Sequence, residues 1–317
     1  MTPRVVTWRG LALHAGLVIA LFALQFMLPE YHHGVMARVL VLAVFAMGYN
    51  ILFGYVGLLS LGHAMFFSAG LYGAGLGVYH LGWNVPAAFA AGVGCGALLG
   101  AVIGALALRT TGVAFMIVTM MFAQALYLTI LYFNQWTGGD QGLVLAQGAR
   151  AIGGLDLTQP SARYMAALAL FALVLFVTLF VVRSPYGRVL VAIRENEQRT
   201  RMLGYDTFAN KLLAVTLSGA ICASAGAAYV LLFGYVGSTF ASVQYSILPL
   251  LWVLLGGAAT TLGPLLGTLF MYYAVDVASG FTSAWLLLVG VALILLVLFF
   301  PKGVLGTIRE RWLPWLP

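Results

Sequence analysis

Tyr164-Met-Ala-Ala-Leu-Ala-Leu-Phe-Ala-Leu-Val-Leu-Phe-Val-Thr-Leu-Phe-Val-Val182 runs for nineteen residues without a charge. A helix rising 1.5 Å per residue needs roughly 20 apolar residues to cross the hydrocarbon core of a bilayer. The stretch therefore predicts a transmembrane α-helix. Working outward, nine further stretches have the same character: 10–29, 35–53, 60–79, 86–108, 113–133, 211–233, 244–261, 264–281 and 283–300. A membrane β-barrel would instead alternate apolar and polar residues in segments of about ten. The expected fold is an all-α integral membrane protein with about ten crossings, forming one transmembrane domain over residues 1–317.

Composition agrees. Of the 317 residues 63% are hydrophobic and 7% charged, against about 25% charged in an ordinary soluble domain. The first stretch follows Arg4 and Arg9, is long, and lacks a small-x-small cleavage pattern, so it reads as a retained helix. Cys95 and Cys222 both fall inside apolar stretches, which leaves neither a disulfide framework nor a cysteine metal site.

The 15 Lys and Arg set the orientation. With a cytoplasmic N-terminus, Arg4, Arg9, Arg109, Arg183, Arg188, Arg194, Arg199, Arg201, Lys211, Lys302, Arg309 and Arg311 fall inside, and Arg38, Arg150 and Arg163 outside. The positive-inside rule favours this arrangement. It places both termini and residues 183–210 in the cytoplasm, and loop 134–163 on the opposite face. The net charge of +7 follows loop sidedness and implies no nucleic-acid partner.

The hexapeptide Leu-Phe-Gly-Tyr-Val-Gly occurs twice, at Leu52 to Gly57 and at Leu232 to Gly237, each where an apolar segment ends. Five segments separate the copies, an odd number, so they exit on opposite faces. That is the arithmetic of two inverted-topology halves, whose broken helices mark a substrate route. The first copy leads into Ser60, Gly62 and His63, predicting a helix break near Gly54 to His63. Gly54, Gly57, Ser60, Gly62 and His63 become candidate path residues. Asp276, the one clear acid inside an apolar segment, joins them, because a buried acid is costly. In segment four Gly92, Gly96, Gly100 and Gly104 recur every four residues, a strip suited to close helix packing.

Energy-converting chemistry is missing from the sequence. There is no Gly-x-x-x-x-Gly-Lys-Ser/Thr phosphate loop, no His-Glu-x-x-His zinc pair and no Gly-x-Ser-x-Gly elbow, so neither ATP hydrolysis nor other catalysis is expected of the chain alone. No catalytic residue, cofactor or metal is assigned. Segment 183–210 is the most charged region. It has a Pro start, a short amphipathic helix and a Gly stop, with Val189, Ala192, Ile193, Met202 and Leu203 as apolar stripe. It reads either as a membrane-surface helix or as a docking helix for a cytoplasmic partner.

Four patches carry a family resemblance: Gly54 to Phe67, Trp136-Thr-Gly-Gly-Asp-Gln-Gly-Leu143, Ser184 to Gly204, and Leu255-Gly-Gly-Ala-Ala-Thr-Thr-Leu-Gly-Pro-Leu-Leu-Gly267. Together the chain resembles the permease subunits of branched-chain amino acid ABC transporters, specifically the M-type member of the H- and M-type pair. The resemblance implies a bacterial inner-membrane importer with a second, H-type permease, two ATP-binding subunits and an extracytoplasmic solute-binding protein. It puts Arg188, Ala192, Ile193, Arg194, Glu195, Asn196 and Gly204 on the loop that couples to the ATPase. Thr200 departs from the small apolar residue expected there. Thr137, Gly138, Gly139 and Asp140 become candidate contacts for the binding protein. On residue chemistry alone an ion-coupled secondary transporter of a small polar solute remains the alternative.

Overall fold

A computed structural model describes residues 8–27, 29–153, 155–281 and 303–311, with positions 284, 287, 290, 291, 294 and 298 between the last two ranges. Arg4, Lys302 and most of the segment expected at 283–300 lie outside the described residues.

The protein is mostly helical. Six helices are long and apolar enough to cross a membrane. They are α1 (Trp8–Met27), α2 (Glu30–Asn50) with its extension to Val56, α4 (Val85–Ala107), α5 (Val113–Tyr132), α7 (Pro160–Arg183) and α10 (Thr207–Phe233). The remaining expected crossings are built differently. Helix α3 (His63–Leu81) has 19 residues and is largely buried. Helix α11 (Val243–Gly256) has only 14 residues and contains Pro249, and α12 spans Gly263–Phe281. A short C-terminal helix covers Gly303–Arg311.

Local chemistry sets the boundaries. Asn84 accepts from the Ala87 N–H at 3.0 Å and Pro86 follows, starting α4; Asp206 accepts from the Ala209 N–H at 3.0 Å, starting α10. Such caps satisfy amide groups that have no intrahelical partner. The glycine strip of α4 lies on α10: a Cβ at Gly96 would run into Ala223, at Gly100 into the Thr216 and Val215 backbone, and at Gly104 into Leu212 and Val215. Helix α3 closes on α10 in the same way, with Gly70 against the Ala223 carbonyl and Gly226 against the Phe67 carbonyl. Backbone contact of this kind replaces the hydrophobic drive that lipid does not provide.

The two hexapeptides lie at opposite ends of the bundle. Gly54 and Gly57 meet Arg194, beyond the C-terminal end of α7, whereas Gly234 meets Arg150, which precedes the N-terminal end of α7. The 24 residues of α7 separate these ends by about 36 Å. Beyond each copy the chain turns back into the bundle, and a new helix begins nine residues after the first glycine: α3 at His63 after Gly54, and α11 at Val243 after Gly234.

Candidate functional site

The level at which α3 starts follows from its hydrogen bonds. Ser218 stands eleven residues into the 27-residue α10, about 16 Å from its first turn. Its hydroxyl donates to the Gly48 carbonyl at 2.7 Å and therefore accepts from His63 Nε2–H at 3.0 Å. Helix α3 thus begins in the interior of the bundle rather than at a face. Helix α11 begins at the same level, because the Ala64 N–H donates to Ser246 Oγ at 2.9 Å. Two helix starts, approached from opposite ends of the molecule, meet there.

The chain between Gly54 and His63 is a wound break. Residues Ile51–Val56 form a π-helical turn ending in Gly57 with φ 81°. Ser60 Oγ accepts from the Gly62 N–H at 3.2 Å. Asn50, an amide at the C-terminal end of α2, bridges to the second half: its Nδ2 donates to the Thr260 carbonyl at 2.9 Å and its Oδ1 accepts from the Ala259 N–H at 3.0 Å. Ala259 has φ 58°, a left-handed conformation that is uncommon without glycine. The resemblance patch 255–267 therefore turns around Asn50. His14 Nε2 accepts from Thr261 Oγ1 at 2.7 Å while Nδ1–H donates to the Gly10 carbonyl, so α1 is pinned to the same turn.

Of the path candidates, Gly54, Ser60, Gly62 and His63 are buried and build this break, and Gly57 is exposed at its end. His63 has no exposed surface and its ring packs edge-on against Tyr49 and Phe66. It orders the break from within, bonded to Ser218. Asp276 lies on the exposed flank of α12, next to exposed Val277. A helix periodicity argument sees only that an acid is inside an apolar segment, not which way that segment faces.

The coupling candidates separate into two sets. Helix α8 (Pro185–Glu195) starts at Ser184, which accepts from the Gly187 N–H. Asn196 is extended, ends α8 and caps α9 (Glu197–Met202) by accepting from the Arg199 N–H at 2.8 Å. Leu190 and Ile193 are buried, and Arg194 donates from its guanidinium to the Gly54 carbonyl. These residues weld α8 to the break, so Ile193 does not belong to an outward apolar stripe. Arg188, Ala192, Glu195, Asn196 and Gly204 are exposed, as is Arg194 apart from the guanidinium that reaches Gly54, and so are Met202 and Leu203, at 81% and 71%. Lys211 in α10 is buried and pairs with Glu197 of α9. Thr200, the departure from the family pattern, is buried with its hydroxyl donating to the Asn196 carbonyl at 2.9 Å, so the polar group is satisfied.

At the other end, Thr137 is buried and its hydroxyl donates to the Ile130 carbonyl at 2.7 Å. Gly138 and Gly139 both have positive φ and form the turn after α6 (Asn134–Thr137). These three candidates are built into a clasp. Strand β1 (Leu143–Val144) pairs with β4 (Tyr235–Val236), inside the second hexapeptide. Only Asp140 of the four is exposed, and it accepts from Ser238 Oγ at 3.3 Å. A second hairpin pairs β2 (Ala151–Ile152) with β3 (Leu155–Asp156). The Thr158 N–H and side chain hold the Asp156 carboxyl below the usual carboxylate range.

Residues 32–298 match the family described as "Branched-chain amino acid transport system / permease component". The chain belongs to that family. It is 29% identical over 328 residues, 95% of this chain and 76% of the relative, to the high-affinity branched-chain amino acid transport system permease protein LivM of Salmonella typhimurium. It is also 29% identical over 322 residues to LivM of Escherichia coli, covering 93% of this chain and 75% of that one. The autoinducer 2 import system permease protein LsrC of Salmonella paratyphi B is 28% identical over 144 residues, 43% of this chain and 40% of that protein. No solved structure matches the chain. Family permeases and the six apolar helices together make this a multi-pass membrane protein and a transport subunit rather than an enzyme.

Sequence reading missed Asn50, Ser218 and Ser246, the polar residues that hold the two half-helices together. A signal existed for Asn50, a lone amide four residues before the first hexapeptide glycine. The serines carried none, since single hydroxyls are common in membrane helices and bond their own backbone.

Proposed function

We propose that this chain is one permease subunit of an ATP-driven importer for branched-chain or related amino acids. The observation that carries the reading is the contact between Arg194 of α8 and the Gly54 carbonyl, which joins the one strongly charged surface element to the helix break. A bundle without a phosphate loop must receive force through such an element. The partners are a second, H-type permease, two ATP-binding subunits that take the exposed face with Arg188, Ala192, Glu195, Asn196 and Gly204, and a solute-binding protein at the end carrying 134–163. The extended runs before α3 and α11 are the substrate route of two inverted halves within about ten crossings, in a bacterial inner membrane.

Two outcomes test this. The chain reconstituted alone should hydrolyse no ATP and take up no leucine, isoleucine or valine under a proton or sodium gradient, while the complete complex with binding protein and ATP does. Gradient-driven uptake by the isolated chain would instead establish the ion-coupled alternative. For orientation, a cysteine replacing Ser184 should be protected from a membrane-impermeant thiol reagent in intact cells and one replacing Gln147 should be labelled. Labelling of the first would reverse the topology.

A further inference from the structure

The three cations assigned to the outer side by charge counting come together in space. Arg38 of α2 lies with its guanidinium carbon 5.0 Å from the centre of the Phe233 ring, and Arg163 of α7 lies 5.3 Å from the same ring. Arg150 donates to the Leu232 carbonyl at 3.3 Å and sits against Gly234. The charges of Arg150 and Arg38 both act on Arg163. Two helices and a loop thus deliver three cations to the end of α10, at the second hexapeptide.

Cation–π contact contributes about 0.5–2 kcal/mol without neutralising charge. Among the described residues no carboxylate forms an ion pair with any of the three. Asp156 is the acid whose charge reaches Arg150, and its carboxylate is committed to Thr158. Arg150 is only 6% exposed, and its Nε, like that of Arg163, is buried with no hydrogen-bond partner. Arg38 donates to the Tyr272 hydroxyl at 3.3 Å and Arg163 to the Thr158 carbonyl at 3.1 Å, bonds that leave the charge in place, and cations without a carboxylate beside a membrane core are costly and mark function. Planar guanidinium forks of this kind fit a carboxylate with two parallel hydrogen bonds.

Part-exposed rings lead inward from the cluster. Tyr229 lies 4.8 Å from Phe233 and 4.9 Å from Phe240, and Phe240 lies 5.2 Å from Tyr245. Tyr245 precedes Ser246, whose hydroxyl meets the start of α3. We propose that Arg38, Arg150 and Arg163 form a carboxylate site at the outer end of this aromatic cluster, taking the carboxylate of the transported amino acid before it moves to the paired helix starts. The inference rests on the permease reading above. Arg150, bonded to backbone, holds the site's floor; Arg38, which is exposed, and the half-buried Arg163 make the contact.

The test uses the complete importer in phosphatidylcholine vesicles, with L-leucine uptake measured against the concentration of loaded binding protein. Arg38→Gln and Arg163→Gln should each lower the maximal rate about tenfold, the scale of a lost charged hydrogen bond, with KM for the binding protein unchanged. Arg38→Lys and Arg163→Lys, which keep the charge but lose the fork, should fall roughly threefold and carry the test if the glutamine variants fail to assemble. Unchanged maximal rates overturn the site. A rise in KM alone overturns it in favour of binding-protein docking, and a defect seen only with phosphatidylglycerol present overturns it in favour of a lipid headgroup. Failure of the unmodified importer to take up any amino acid would be a failure of the permease reading, and is distinguished by that control.

Discussion

Gly226→Leu should leave no monodisperse protein after extraction from membranes. A Cβ on Gly226 would enter the Phe67 carbonyl oxygen and approach Leu71 N at 3.0 Å, and on the facing helix one at Gly70 would enter the Ala223 carbonyl. Both obstacles are backbone, which no rotamer change can move. Overfilling a packed core costs about 1–3 kcal/mol even where side chains adjust, so Gly226→Ala should already lower the melting temperature measurably. Leucine would separate α3 from α10 along the seam where Ser218 supports His63, and the break would lose its support. Gly94→Ala, where nothing lies within 4 Å, is the control and should behave as the unmodified protein. A Gly226→Leu variant eluting and melting normally would mean that α3 and α10 do not touch.

Arg194→Ala should uncouple rather than dissociate the importer. Arg194 and Glu195 are both exposed, but the Arg194 side chain bonds to the Gly54 carbonyl and packs on Gly57. A hydrogen bond from a charged group is worth about 1.5–3 kcal/mol, roughly ten- to a hundredfold in the population that transmits movement from α8 to the break. Uptake should fall by that factor with the ATP-binding subunits still copurifying and hydrolysing ATP. Glu195→Lys should do the reverse, lowering recovery of the ATP-binding subunits. Equal loss of those subunits in both variants would refute the division between Arg194, bonded to Gly54, and Glu195 as a docking residue.

Much of the architecture was legible in the residues. Uncharged runs of membrane-spanning length gave the helices, and the strip from Gly92 to Gly104 gave a packing face, because both depend on local composition and on the 3.6-residue repeat. The break before His63 was legible because glycine, serine and a histidine interrupt an apolar run. The roles of individual candidates were not. Whether His63 faces a channel or a serine, and whether Asp276 faces the bundle or its outer flank, depends on which neighbours surround each helix. Arg194 and Glu195 are adjacent in sequence and both charged, yet one is tied to Gly54 and the other is not.

The hexapeptide marks the boundary between the two kinds of information. By itself, Leu-Phe-Gly-Tyr-Val-Gly marked a place where an apolar helix is weakened, since each glycine costs a helix about 1 kcal/mol against alanine, and its two occurrences marked two such places. Its conformation was decided only by tertiary structure. At Leu52 to Gly57 the first four residues of the motif after Leu52 continue in a π-helical turn and the last glycine takes positive φ, with Asn50 and Arg194 against the backbone. At Leu232 to Gly237 the first glycine takes positive φ and Tyr235–Val236 becomes a strand paired with Leu143–Val144. Identical residues have identical local preferences, so the difference comes from the partners that satisfy the freed backbone groups: a guanidinium and an amide at one end, a strand and Arg150 at the other.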